Sequence, residues 1–547
     1  MPTADQPPTT AIAFDDMTGD QLALPSSEKV ETLTKHGKVT GGRVKNGCQV
    51  FLNVPYGIDV PRFSDPQPLP SHYTYPPTPF TVDGKYCAQP ERTYTQTNTM
   101  RDRLGLGSPT ENPFFADIYI PSDYPLSTNP PSPGSAASRP LLPVRVFIHG
   151  GFLQYGSTSG QHYNQQFFPS EHYGEVRVLL GHRVSVLGFL GCEEPKVSGN
   201  FGFKDCWLGL EWVRENIASF GGDPNQVHLS GLSGGAHVVH QLVHQAARLA
   251  PAKAPFMTAH HQSNAILSSP LTPASRNSQF NAFCKALDID PSTPDILSVL
   301  RDTSRMSTDR IIKAVQNMGE LSTFRGVVGD DGWVRADQIE YQRNGGLAKG
   351  LREARVKCLI VGDVRDEDYF YKSVHPCKSL SDLVPNIARY YPYEQSERFL
   401  AAYPALPKDA SPEDMDALLG RILADGQVHL PIRLLASDLA KHDFPVVRYA
   451  IESVAEFHGT GGKASHGTDL AVHQLRLSIL TPEETRAALK FNETLWNAVR
   501  PALGQGDGLF EQKGEEEMLV LSKNGEVGWK ADWRWPLLRA AEKVFRG

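Results

Sequence analysis

The chain has 547 residues, of which 40% are hydrophobic, and it carries a formal net charge of −7 at pH 7. This much apolar material builds a sizeable core, while the acidic balance disfavours nucleic acid and anionic membrane surfaces as partners. No apolar run approaches the roughly 20 residues that a helix needs to cross a bilayer, so stable membrane insertion is not expected.

The N-terminal residues 1–30 are polar and rich in Pro, Thr and Ser, without a basic segment followed by an apolar one. This composition predicts a flexible tail and not a signal peptide. Residues 31–547 contain motifs along their whole length and no linker long enough to divide them, which favours a single domain.

The first chemical pattern is the apolar run V-R-V-F-I at 144–148, a predicted strand, followed by H-G-G-F at 149–152. Glycine lets backbone N–H groups approach a bound group closely, as an oxyanion hole requires. A tight turn after a strand is the alternative interpretation.

The most informative motif is G-L-S-G-G at 231–235, between an apolar run at 227–230 and a helix-like run at 236–240. A strand, a G-x-S-x-G turn and a helix form a nucleophile elbow, whose sharp bend exposes the serine hydroxyl. The pentapeptide alone is weak evidence in a chain with 47 glycines. Its flanking strand and helix make Ser233 the predicted nucleophile.

Helical patterns dominate residues 251–345. T-P-D at 293–295 begins one predicted helix, and S-T-D at 307–309 begins another that ends at Gly319. Further helices are predicted at 412–423 and 482–499.

Two later segments offer partners for a serine, which needs a base to remove its proton. The apolar strand L-I-V-G at 359–362 precedes three adjacent carboxylates, Asp366, Glu367 and Asp368, which a solvated acidic loop would also explain. Six histidines follow, among them His458 in F-H-G and His466 in S-H-G-T-D. A histidine oriented by a carboxylate is a common base for serine.

These motifs, in this order, resemble the type-B carboxylesterases, the cholinesterase-like branch of the α/β-hydrolases. The similarity runs from about Val39 to the last helix and includes G-N-F-G-F-K-D at 199–205 and F-G-G-D-P at 220–224. It implies the α/β-hydrolase fold, an α/β architecture with a large, mostly parallel central sheet flanked by helices. It also implies a helical cap region at about 251–345.

The family orders its catalytic triad Ser, Glu, His, so the resemblance implies Ser233, Glu367 and His466. Glu367 aligns with a D-E-G segment of the family, but Asp368 replaces the glycine, which leaves Asp366 and Asp368 open as alternatives. His466 matches the family's histidine loop, and His458 is the weaker rival.

The oxyanion donors implied by the family are the backbone N–H groups of Gly151, Phe152 and Gly234. Phe152 stands where the family usually has a third glycine, so its side chain could narrow the acyl pocket. Leu232 stands where the family commonly has glutamate, which argues against a choline-type cationic substrate.

Several other polar residues are interpreted as structural. Two pairs match buried ion pairs of the family: Arg62 with Glu111, and Arg183 with Asp205. Three histidines recur at helical spacing after the nucleophile: His237, His240 and His244. No carboxylate or cysteine near these histidines completes a metal ligand set, which favours helix packing as their role.

Cysteine usage favours a reducing compartment. The chain has seven cysteines, and Cys87 occupies the position of a family half-cystine whose partner position is filled by Pro113. Cys87 is therefore expected to be a free thiol. Together with the absence of a signal-peptide pattern, this predicts a cytoplasmic protein. The alternative is a secreted enzyme that has other disulfide bridges and is exported by an unusual route.

The sequence thus predicts a serine carboxylic-ester hydrolase that acts through an acyl-enzyme on a small or medium ester, with no metal and no organic cofactor. An acyltransferase, lactonase, thioesterase or amidase could use the same triad. A surface-active lipase and a non-catalytic cholinesterase-like binding protein are further alternatives. The oligomeric state is open.

Overall fold

The computed structural model describes residues 28–44, 47–81, 85–90, 108–128, 139–158, 166–477, 479–505 and 508–546. The tail predicted at 1–30 lies outside these residues except for its last three positions. Among the helices described, none has both the length and the apolar character that a membrane span requires.

The core of the fold is a sheet of twelve strands in the spatial order β1-β2-β3-β4-β6-β5-β7-β8-β9-β10-β11-β12. The strands are β1 Val30–Thr34, β2 Gly37–Arg43, β3 Gln49–Pro55, β4 Phe115–Ile120, β5 Leu142–Ile148, β6 Val176–Leu180, β7 Gly222–Leu232, β8 Thr258–Gln262, β9 Cys358–Val364, β10 Val446–Ile451, β11 Glu517–Leu521 and β12 Val527–Ala531. Strands β6, β5 and β7 to β11 run parallel, and antiparallel strands extend both ends. The sheet is therefore large and mostly parallel, as predicted.

Helices cover both faces of this sheet. The α-helices are α1 Phe167–Tyr173, α2 Ser185–Phe189, α3 Phe201–Asn216, α4 Gly234–Arg248, α5 Asn277–Ala286, α6 Ile296–Arg301, α7 Thr308–Gln316, α8 Gln338–Arg343, α9 Gly346–Glu353, α10 Glu367–Tyr371, α11 Leu383–Ala388, α12 Tyr393–Ala401, α13 Pro412–Ala424, α14 Leu430–Ala440, α15 Leu470–His473, α16 Pro482–Val499 and α17 Trp535–Arg546. A π-helical turn, Asp425–His429, joins α13 to α14, and short 3₁₀ helices include Ala274–Arg276, Gly319–Ser322 and Glu456–His458. Helix α4 packs against β7 and β8, and α16 packs against β10 to β12.

Helix N-termini with a side-chain cap begin where the sequence predicts them. Helices α13 and α16 start at a proline, and Ser411 and Thr481 each accept a hydrogen bond from the N–H three residues on. Ser307 caps α7 in the same way, although α7 ends at Gln316 and not at Gly319.

One predicted helix start is wrong. Helix α6 begins at Ile296, because Thr293 serves the preceding turn and donates its hydroxyl to the carbonyl oxygen of Asp290 at 2.7 Å. The region 251–345 also contains β8, a strand of the central sheet, so its helical part begins after that strand.

The two predicted ion pairs are present. Arg62 binds Glu111 through two nitrogen–oxygen contacts of 2.6 and 2.5 Å, and Arg183 binds Asp205 at 2.9 and 2.6 Å. Each pair ties a loop to the scaffold, since Arg62 also donates to the carbonyl oxygen of Leu300 and Arg183 to that of Ser64.

Candidate active site

The predicted site residues follow the carboxyl ends of four parallel strands. The H-G-G-F loop follows β5, Ser233 follows β7, Glu367 begins the helix after β9, and His466 lies in the loop after β10. Parallel strands present their carboxyl ends at one edge of the sheet, where ligands bind in open α/β folds. The topology therefore brings distant segments of the chain to one place.

Ser233 occupies a strained turn between β7 and α4. Its backbone has φ 57° and ψ −122°, a conformation that L-residues rarely adopt outside functional sites. The turn closes tightly, because a Cβ atom at Gly235 would lie 2.2 Å from the carbonyl oxygen of Ile148 in β5. The Ser233 N–H donates to the carbonyl oxygen of Gln262 in β8 at 2.8 Å, which fixes the turn to the sheet.

Glu367 and His466 form a hydrogen-bonded pair. The Glu367 carboxylate is fully buried, and its Oε2 lies 2.6 Å from Nδ1 of His466. Its other oxygen accepts the N–H of Val364 at 3.3 Å. A carboxylate that accepts the Nδ1 proton leaves Nε2 of the neutral ring as the basic nitrogen.

The alternative carboxylates and histidine occupy different positions. Asp366 accepts the backbone N–H of Ala464 at 3.0 Å, so it holds the histidine loop without contacting the ring. Asp368 is exposed to solvent. His458 lies on the 3₁₀ helix Glu456–His458, where its charged neighbours are Arg476 and Glu484.

Two aromatic rings hold the His466 imidazole in place. Phe370 stacks on it with ring centres 4.9 Å apart, and Tyr371 meets it edge-on at 5.3 Å. The His466 Nε2 atom is buried and has no hydrogen-bond partner among the described residues, so the bond to the Ser233 hydroxyl is not formed. Such bonds commonly tighten only when substrate binds. Sequence reasoning missed Phe370, although it lies only three residues after Glu367.

The oxyanion loop closely approaches Gly234 at the start of α4. A Cβ atom on Gly234 would lie 2.9 Å from the nitrogen of Phe152 and 3.0 Å from that of Leu153. Gly151 has φ 123°, and its carbonyl oxygen accepts N–H groups from Gln154 and Tyr155, which turns the loop back toward Gly234. Within the described residues, the N–H groups of Gly151, Phe152 and Gly234 donate to no acceptor. They are available to a negatively charged oxygen.

The Phe152 side chain packs among aromatic residues beside the histidine. Its ring centre is 6.0 Å from that of Phe370, 6.2 Å from Tyr371 and 6.4 Å from Tyr390. Phe370 therefore lies between Phe152 and His466.

A second buried carboxylate, Asp469, lies three residues after His466. It is 1% exposed, and neither of its oxygens has a hydrogen-bond partner among the described residues. Burial, and then the negative charge of Glu367, raise the Asp469 pKa to about 7. Nothing in the sequence indicates this property, because it depends on how close Asp469 lies to Glu367 in the fold.

The three histidines after the nucleophile are packing residues of α4. His240 accepts the N–H of Ile266 at 2.9 Å through Nδ1 and contacts the Gln342 side chain at 3.1 Å through Nε2. Burial lowers the pKa of His237 and His240 to about 3. His244 stacks on His240.

All seven cysteines are buried thiols. Cys87, predicted to be a free thiol, accepts the N–H of Val184 at 3.4 Å. Burial raises its pKa to about 12, so it is a poor nucleophile.

The chain is similar to known proteins in both sequence and structure. A family model described as the carboxylesterase family matches residues 26–493. An uncharacterized esterase/lipase of Schizosaccharomyces pombe is 29% identical over 371 residues, 63% of this chain and 64% of that protein, slightly under two thirds of its length. A carboxylic ester hydrolase of Gibberella moniliformis is 27% identical over 420 residues, 73% of this chain and 71% of that protein.

Among solved structures, a PNB esterase superimposes with a TM-score of 0.71 at 22% identity, covering 93% of this chain and 99% of that one. At this identity the likeness concerns the fold, and it confirms the predicted α/β-hydrolase fold.

Proposed function

The chain belongs to the carboxylesterase family, and from that premise we propose that it hydrolyses small or medium carboxylic esters through an acyl-enzyme on Ser233. Carboxylic ester hydrolysis is the activity for which the family is named and the one predicted from the sequence. Ser233, His466 and Glu367 each have a separate role in this reaction.

His466 acts as the general base. Its Nε2 removes the hydroxyl proton as the Ser233 oxygen attacks the ester carbonyl carbon, and it then gives that proton to the leaving alcohol. Water, deprotonated by the same nitrogen, attacks the acyl-enzyme and releases the acid. Glu367 orients the ring and stabilises its protonated form, a role supported by the 2.6 Å contact with Nδ1.

The backbone N–H groups of Gly151, Phe152 and Gly234 stabilise the oxyanion of each tetrahedral intermediate. Removing one such donor typically costs a factor of about 10² to 10³ in turnover. One observation carries the proposal: a strained serine, a buried Glu–His pair and three N–H groups lie at the same edge of the sheet. Among the described residues, these N–H groups donate to no acceptor.

The test is hydrolysis of p-nitrophenyl esters by Ser233→Ala, with Ser230→Ala as a matched control. Ser230 lies on the same strand, and its hydroxyl donates to the carbonyl oxygen of Val146 at 2.9 Å. Ser233→Ala should lose about 10⁶ in turnover, and labelling by a fluorophosphonate should disappear with it. Substantial hydrolysis by folded Ser233→Ala would identify a different nucleophile.

The same substrate panel should include lactones, thioesters, amides, and esters offered together with an acceptor alcohol. All of these reactions pass through an acyl-enzyme. The fastest substrate class decides between hydrolysis of simple esters and the alternative reactions.

We also propose that the protein works in the cytoplasm. Seven buried cysteine thiols, with no disulfide joining them, suit a reducing compartment. Microscopy of the full chain with a C-terminal fluorescent tag tests this location.

A further inference from the structure

A small cavity lies beside the first turn of α4. Its volume is about 70 Å³, and its walls include His237, Ile266, Arg325, Tyr390, Tyr391 and Gln427. A single water needs about 10–15 Å³ in this measure, so the cavity has room for a carboxylate on a short methylene arm.

Three segments around this cavity are hydrogen-bonded to the candidate active site. The N–H of His237 donates to the carbonyl oxygen of Ser233 at 3.0 Å. Residues 265–267 follow directly after the segment that binds the Ser233 N–H. On the third side, the Gln154 side chain of the oxyanion loop bonds both the N–H and the carbonyl oxygen of Phe324, at 2.9 and 2.6 Å. The cavity is therefore about one turn of α4 away from Ser233.

The cavity wall carries a positive charge without a counter-charge. The Arg325 guanidinium lies 4.5 Å from the ring centre of Tyr390, its Nε is buried without a hydrogen-bond partner, and no carboxylate of a described residue pairs with it. Arg276 also has a buried Nε without a partner among the described residues. Burial, and then the charge of Arg325, lower the pKa of Arg276, which is not among the residues that line the cavity.

Other charged groups at this end of the molecule do not neutralise Arg325. Arg389 is itself a cation and pairs with Glu320 at 3.6 Å. His375 contacts the Tyr390 hydroxyl at 2.8 Å, and burial, with the charges of Arg389 and Arg325, lowers its pKa to about 3. The Arg325 residue is half-buried, and a partly desolvated cation without a partner is unfavourable. Its planar guanidinium can bind a carboxylate through two parallel hydrogen bonds.

We propose that Arg325 forms an anion subsite that binds a free carboxylate on the ester substrate. The substrate class is the monoester of a short dicarboxylic acid, in which one carboxyl is esterified and the other is ionised. This inference rests on the proposed ester hydrolysis and adds the charge and length of the substrate. The other end of the same molecule then places its ester carbonyl at Ser233.

The experiment compares monomethyl glutarate with dimethyl glutarate, which has the same chain but no charge, by pH-stat. The quantity measured is the ratio of the two kcat/KM values, so a partial loss of folded protein cancels. In wild type, kcat/KM should be higher for the monoester than for the diester. Arg325→Met should lower the ratio of monoester to diester kcat/KM by about 30-fold or more. Arg325→Lys should retain part of the preference for the monoester. Arg389→Met is the matched control, whose ratio should stay within about twofold of wild type because its charge is already paired.

An equal ratio in wild type and Arg325→Met, or an equal fall for both esters, would overturn the subsite and leave Arg325 a structural role. Failure of the proposed function itself looks different, because wild type would then hydrolyse neither ester and resist fluorophosphonate. In that event calorimetric titration of wild type with monomethyl glutarate still decides the subsite: binding that Arg325→Met abolishes supports it, and no binding overturns it.

Discussion

Replacing Asp469 with asparagine should stabilise the protein at alkaline pH and leave it nearly unchanged at acidic pH. In the folded protein the Asp469 carboxyl is buried beside the charge of Glu367, and its pKa is raised to about 7. In the unfolded chain the same group has a pKa of about 3.9. Between these values the folded state binds the additional proton, so stability falls as pH rises from about 4 to about 7, and the loss is complete above that range.

The pKa of Asp469 differs by about three between the folded and the unfolded protein. At 1.36 kcal/mol per pKa unit, this corresponds to about 4 kcal/mol in the free energy of unfolding. The entropy of unfolding for 547 residues is about 1.1 kcal/mol per kelvin near 60 °C. Asp469→Asn should therefore raise Tm by about 3–4 °C at pH 8.5. At pH 5 the protonated aspartic acid and asparagine are both neutral and similar in size, so the two Tm values should nearly coincide.

Differential scanning calorimetry at one scan rate measures this difference at both pH values. Asp368→Asn, which removes an exposed carboxylate near the same site, is the matched control and should give a small change that is the same at both pH values. If the Tm difference between Asp469→Asn and wild type were equal at pH 5 and pH 8.5, the carboxyl would not be held protonated by its surroundings.

Further predictions concern the acid, the acyl pocket and the thiols. Glu367→Gln should lose about 10⁴ in kcat, while Asp366→Asn and Asp368→Asn should stay within about tenfold of wild type; equal losses in all three would remove the orienting role from Glu367. Phe152→Ala should shift kcat/KM toward longer acyl groups by about ten-fold or more in p-nitrophenyl esters of increasing length, whereas a uniform loss at every length would mean that the ring only holds the loop. Dithionitrobenzoate should react slowly with the native protein and release seven equivalents after denaturation without reductant, and a lower total would reveal a disulfide, at Cys87 or elsewhere.

Helix starts were predictable where the signal is local. Ser411 and Thr481 each precede a proline and cap their own helix, so five or six consecutive residues contain all the information. Thr293 also precedes a proline, yet its hydroxyl is engaged by Asp290 in the preceding turn. Two local motifs compete there, and composition alone does not decide between them.

Strand β8 was not predicted, because its sequence T-A-H-H-Q lacks the apolar run expected of a buried parallel strand. Its polar side chains are accommodated by partners distant in sequence. His260 contacts the Tyr449 hydroxyl at 2.9 Å, and His261 packs edge-on against His240. The environment of Arg325 was also not predictable from the sequence. No carboxylate of a described residue pairs with its guanidinium, and this is a property of the assembled fold.

We expect the charges near Ser233 to disfavour a cationic substrate for two separate reasons. Leu232, which replaces the glutamate common at this position, is buried with Phe147 and Leu470 and contributes no negative potential. Arg325 adds a positive charge in the adjacent cavity. At an effective dielectric constant of about 20, two unit charges on the order of 8 Å apart interact by about 2 kcal/mol in general. A substrate with a quaternary ammonium group therefore lacks an attraction and meets a repulsion, whereas the same arrangement attracts an ester that carries a carboxylate.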